Sequence, residues 1–89
     1  MTFERAADPR TLAPGQYAPI HWRFPVPAPV HLHAVACCPS CGRRMSIASR
    51  VHSVSEDGTL APSLVCPYAC DFHVFARLDG WVPGESAYV

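Results

Sequence analysis

The residues most able to do chemistry in this chain are its cysteines, at positions 37, 38, 41, 66 and 70. Cys38 and Cys41 form a C-x2-C pair inside CPSCG, Cys66 and Cys70 form a C-x3-C pair inside CPYAC, and 24 residues lie between the pairs. Two close pairs a hairpin's length apart have the spacing that lets four thiolates converge in a tetrahedron around one zinc ion. Pro39 after the first ligand and Gly42 after the second suit a tight turn whose backbone N–H groups point at the sulfurs and soften their charge.

Other chemistries fit less well. Two disulfides would need an oxidising compartment and would leave a fifth thiol over. A redox C-x-x-C expects a preceding strand and a following helix in a larger α/β domain, whereas PSCGRRMSIAS leads into a strand. Cys37 is the outsider, because Cys38 stands in register in the C-P-x-C-G turn; it is expected to be a small buried hydrophobe. His73, three residues past Cys70, is the nearest substitute ligand but is expected at the surface. His31 and His33 form an H-x-H pair that offers a second, adventitious metal site, and His21 and His52 carry no signal. Four cysteine ligands close the coordination shell, leaving no open position for water or substrate. No carboxylate pair, nucleophile–base arrangement or glycine-rich phosphate loop stands elsewhere, so no enzyme and no small-molecule substrate are expected.

The elements that must position these cysteines divide the chain into an arm over residues 1–36, a metal-binding unit over 37–81 and a tail over 82–89. With 89 residues, the chain has room for one small domain that needs a staple. The first part holds prolines 9, 14, 19, 25, 27 and 29, which predicts an extended proline-rich N-terminal arm, with PVPAPV as polyproline II. It also carries Phe3, Tyr17, Ile20, Trp22, Phe24 and Val30, too apolar a set for a solvated linker. In the second part Met45, Ile47 and Val51 follow the period of a half-buried strand, and SEDGT supplies a turn around Asp57-Gly58. LAPSLV reads as an edge or irregular strand because of Pro62. DFHVFARL then reads as one strand, with Phe72, Val74, Ala76 and Leu78 on one face and Asp71, His73, Phe75 and Arg77 on the other. Trp81 and Tyr88 are the residues through which the tail could dock.

CPSCG, a hairpin, CPYAC and an aromatic strand together resemble a zinc ribbon. The resemblance covers residues 37–81 and implies a small mainly-β fold, a three-stranded antiparallel sheet with two zinc knuckles, and one structural zinc on Cys38, Cys41, Cys66 and Cys70. More narrowly, C-P-x-C, then Ala48-Ser49-Arg50, then a paired cysteine knuckle and a phenylalanine are similar to the small zinc-finger activators of late transcription in P2-like phages. The second knuckle here is C-x3-C where those activators carry a longer insertion, and they have no counterpart to the arm.

Seven arginines and no lysine balance seven acids, so there is no polycationic signal. The arginine-only usage fits carboxylate, phosphate or aromatic recognition and equally follows from a GC-rich coding sequence. Two functions follow as expectations. In the first, a non-catalytic accessory protein binds a protein partner through the arm and the ribbon faces, with Tyr17, Trp22 and Phe24 as anchors. It would serve a larger assembly, phage-derived assemblies included. In the second, a nucleic-acid-binding transcription regulator uses Arg43, Arg44, Arg50 and Arg77 on phosphates and Phe75 or Trp81 to stack on bases, against the cancelling charges of Glu56, Asp57, Asp71 and Asp79. MTFERAADPR lacks a secretory signal and no apolar run approaches membrane-spanning length, so a cytosolic or virion-associated protein without membrane contact is expected.

Overall fold

A computed structural model describes residues 1–19, 32–48, 51–68 and 70–83. Nine strands occur among them: β1 Thr2–Arg5, β2 Gln16–Pro19, β3 Leu32–Cys37, β4 Arg44–Ala48, β5 Ser53–Val54, β6 Leu60–Ala61, β7 Leu64–Val65, β8 His73–Val74 and β9 Arg77–Leu78. A 3-10 turn, Pro9–Thr11, is the only helical element among the described residues. No helix there is long and apolar enough to cross a membrane.

The main sheet has five strands in the order β4-β3-β2-β1-β9, and β5-β6 and β7-β8 form two further two-stranded sheets. This differs from the expected three-stranded ribbon. β4 and β2 flank β3 in antiparallel fashion, whereas β1 runs parallel to both β2 and β9. The expected arm therefore supplies sheet strands over residues 2–5, 16–19 and 32–36, and β3 crosses residue 36 without a break.

The prolines mark the limits of strands instead of preventing them. Pro9 opens the 3-10 turn after Asp8, whose side chain accepts from the Arg10 N–H as a helix cap does. Pro14 precedes Gly15 at the entry to β2, and Pro19 closes that strand. A proline at a strand end removes a donor that the ladder does not need. PVPAPV lies outside the described residues.

The core follows from the side-chain alternation. Phe3, Tyr17, Ala34, Ala36, Met45, Ile47, Leu60, Leu64, Phe72, Ala76 and Leu78 form one buried cluster that also contains Cys38 and Cys66. Met45 and Ile47 point inward from β4 while Ser46 faces out. Val51, expected on the same face, is exposed, because β4 ends at Ala48 and the chain turns with the N–H groups of Val51 and His52 both donating to the Ala48 carbonyl. In the 71–78 segment Phe72, Ala76 and Leu78 are buried and Val74 half-buried, as the alternation predicts. The segment is nevertheless two strands, because its first half pairs with β7 and its second half with β1.

Gly58 shows how tightly the predicted turn is built in. Ser55 and the Thr59 N–H both donate to the Asp57 carboxylate, and these bonds hold its pKa down at about 2. Gly58 itself is buried at φ 89°, and its carbonyl accepts from the Leu78 N–H at 2.8 Å. A Cβ there would run into the Leu78 carbonyl oxygen and meet Trp81 Cβ at 3.0 Å. Gly58→Ala is expected to destabilise the fold by at least about 2 kcal/mol, from the left-handed backbone and the clash together, read as a lower urea midpoint.

Candidate metal centre

Both cysteine pairs sit at the tips of hairpins. The first occupies the connection between β3 and β4, where the Cys38 N–H donates to the Arg43 carbonyl at 2.8 Å and the Gly42 N–H to the Cys38 carbonyl at 2.9 Å. Gly42 adopts φ 75°, which the reversal requires. The second occupies the connection between β7 and β8, closed by the Cys66 N–H donating to the Phe72 carbonyl at 3.0 Å. Hydrogen bonds of this kind tie the knuckles together from the backbone.

The two tips meet. The sulfurs of Cys38, Cys41, Cys66 and Cys70 all lie within 4.8 Å of one another. Cys41 and Cys66 approach to 3.7 Å and Cys38 and Cys70 to 3.9 Å, each contact running from one knuckle to the other. A tetrahedron of sulfurs bonded to a divalent cation at about 2.3 Å has edges of about 3.8 Å. The four cysteines are thus spaced to hold a metal ion.

The electrostatics also fit a cation. Burial raises the Cys38 thiol, but the N–H groups of Cys41 and Ser40 and the thiols of Cys41 and Cys70 outweigh it and bring the pKa to about 7. Burial pushes Cys66 up to about 11, against the pull of the Tyr68 N–H and with the help of the Cys41 and Cys38 sulfurs. At Cys70 the Phe72 N–H favours the thiolate, yet burial and the nearby Cys38 together leave the pKa raised. A thiolate in the cluster thus disfavours ionisation of Cys66 and Cys70, which a central cation would offset.

Cys38 and Cys66 belong to the hydrophobic core, Cys70 packs against it, and Cys41 is exposed. The metal position is therefore continuous with the core on one side and open to solvent at one sulfur. Across this outer side the Arg43 guanidinium lies over the Tyr68 ring at 5.3 Å, joining the knuckles by a cation–π contact that the sequence did not suggest. Its only sequence signal was an aromatic residue inside the CPYAC knuckle.

Cys37 stands apart from the four-sulfur cluster. Its thiol is buried and donates to the Gly42 carbonyl at 3.3 Å, and burial, then the adjacent Cys38, raises its pKa. Cys37→Ser is expected to keep its metal content unchanged at a cost of about 1 kcal/mol or less, since a hydroxyl can replace the weak S–H donor. Metal analysis beside urea unfolding measures both.

The remaining candidates are dispersed. His73 Nε2 lies 2.6 Å from Ser63 Oγ, outside the sulfur cluster. His33 is half-buried with its ring edge-on to Trp81 at 6.3 Å, and His31 lies outside the described residues. Tyr17, expected as a partner-binding residue of the arm, is fully buried, and its hydroxyl donates to the Asp79 carbonyl at 2.7 Å. Its place in β2, between β1 and β3, puts neighbours on both sides and takes it out of reach of a partner. Trp22 and Phe24 lie outside the described residues.

Of the arginines, Arg44 sits on β4 and Arg77 on β9, at opposite edges of the five-stranded sheet. Arg44 donates to the Arg10 carbonyl at 2.6 Å, and Arg77 pairs with Asp79 at 3.8 Å. Arg50 lies outside the described residues. Phe75 is the most exposed large apolar side chain among the described residues, at 83%, and Val65 is 53% exposed. The pairing of Val65 with His73 and the alternation along the chain put Val65, His73 and Phe75 on the outer side of the second hairpin. Compared with protein-family models, curated proteins and solved structures, the chain matches none.

Proposed function

We propose that this chain is a non-catalytic, zinc-held accessory protein that docks on a protein partner, as a subunit or modulator of a larger assembly such as a phage particle. The observation that carries the metal half is the meeting of four thiols with cross-knuckle contacts of 3.7 and 3.9 Å. Four sulfur donors in a tetrahedron favour a thiophilic, redox-inert cation, and a reducing cytosol keeps the thiols available to it. A shell filled by four cysteines has no free position for water or substrate, so the ion is structural and the chain is not an enzyme. Two knuckles on facing hairpins also support the zinc-ribbon resemblance.

Phe75 supports the partner half. Leaving a phenyl ring in water forgoes about 1.5–3 kcal/mol of burial, which a docking partner recovers. Trp22 and Phe24 are assigned to the same contact. The separation of Arg44 from Arg77 and the zero formal charge favour a protein over nucleic acid, because phosphate binders gather their cations.

The test is a pull-down with the full chain from its native cell, with and without nuclease, alongside Phe75→Ala, Trp22→Ala/Phe24→Ala and Arg43→Ala/Arg44→Ala variants of verified zinc content. A protein retained after nuclease and reduced at least tenfold by the aromatic variants is expected. Recovery of nuclease-sensitive nucleic acid that the arginine variant abolishes would replace this reading with a transcription regulator. Removing residues 1–35 is not a usable control, since it deletes β1, β2 and most of β3.

A further inference from the structure

The sulfurs that hold the cation in the reading above are also placed to be oxidised in a defined pairing. The contacts between Cys41 and Cys66 and between Cys38 and Cys70 use each of the four sulfurs once, and both join the two knuckles. Accessibility orders them, because Cys41 is exposed, Cys70 half-buried, and Cys38 and Cys66 buried. Cys37 is turned away, its thiol spent on the Gly42 carbonyl.

We propose that the cluster is a redox-exchangeable staple: hydrogen peroxide converts it from four metal-holding thiolates into the disulfides Cys41–Cys66 and Cys38–Cys70, which join the same two hairpins and free the cation. The starting state rests on the metal reading.

In the first step the Cys41 thiolate attacks one peroxide oxygen, the O–O bond breaks, and hydroxide leaves a sulfenic acid on Cys41. The Cys66 thiolate then attacks that sulfur, the S–O bond breaks, and a second hydroxide departs. Two thiolates have lost two electrons to one peroxide, and two protons turn the hydroxides into water. The Cys38–Cys70 pair consumes a second peroxide in the same way.

Geometry favours closure of the first disulfide over further oxidation. Cys66 stands 3.7 Å from Cys41, so a bond of about 2.0 Å needs an approach of only about 1.7 Å. Its burial keeps solvent peroxide from Cys66 while leaving it in contact with the oxidised sulfur. Because each bond runs from the β3–β4 tip to the β7–β8 tip, the oxidised chain keeps the contact that the cation had provided. A dithiol reductant with zinc reverses the exchange.

The experiment treats the full, zinc-loaded chain with hydrogen peroxide, follows zinc with a chromogenic chelator, and maps disulfides by mass spectrometry after alkylation without reduction. Loss of the bound zinc in step with Cys41–Cys66, then Cys38–Cys70, with the far-UV signal retained, is expected, and Cys37→Ser should give the same map. Bonds within a knuckle, Cys38–Cys41 or Cys66–Cys70, or any bond to Cys37, would overturn the proposal, as would unfolding on oxidation. If the purified chain carries no metal, the metal reading fails, and the disulfide map still decides the pairing on its own.

Discussion

Cys66→Ser is expected to leave the chain without metal and unfolded at 25 °C. Cys66 is 4% exposed, completes the four-thiol cluster and lies in the core with Leu64 and Phe72. A structural zinc contributes about 10–16 kcal/mol of apparent binding free energy in small domains. That matches or exceeds the whole stability of about 5–15 kcal/mol typical of a folded protein. Without a fourth thiolate the remaining sulfurs face one another at contact distance with no cation between them. Metal content after purification without added zinc, together with far-UV circular dichroism, measures the result. Cys37→Ser is the matched comparison, since Cys37 is equally buried on the same hairpin as Cys38. If both variants fold and Cys66→Ser keeps a full metal load, the four-cysteine site is wrong. A strong chelator should unfold the unaltered chain in the same way.

Phe3→Ala carries the second largest expected effect, and it tests whether the N-terminal residues belong to the fold. Phe3 is fully buried, meets Phe72 edge-on at 6.2 Å between ring centroids, and pairs in register with Leu78. Its strand lies between β2 and β9, so its loss opens the sheet from the inside. Truncating a buried phenylalanine costs about 3–5 kcal/mol through lost transfer energy and the cavity left behind. The expected outcome is a shift of the urea midpoint by most of the folded range, with weaker metal retention, because Cys38 and Cys66 share that core. A dispensable arm would instead give an unchanged midpoint.

Phe3 also marks where legibility ended. The four clustered cysteines could be read from the chain because a knuckle is a local object: a few residues between two cysteines, with Gly42 at φ 75°, set where both sulfurs point. The Asp57-Gly58 turn was legible for the same reason. So were the inward faces at Met45 and Ile47 and at Phe72, Ala76 and Leu78, because strand side chains alternate with a period of two whatever the partner.

Strand partnership has no such local signature. β1 pairs with β9 across most of the chain, Thr2 opposite Arg77, and nothing in TFER specifies that neighbour. The proline-rich N-terminal stretch therefore read as an arm, since counting lost donors does not tell which donors a ladder would have used. Tyr17 reads as a partner anchor because its aromatic ring is visible in the sequence and its burial between β1 and β3 is not. Which four of the five cysteines come together was thus legible in the sequence alone, through short covalent spacings. Which strands enclose them, which side of the site faces solvent, and why Cys37 is left out were decided by the tertiary structure, through hydrogen bonds and packing between residues far apart in the chain.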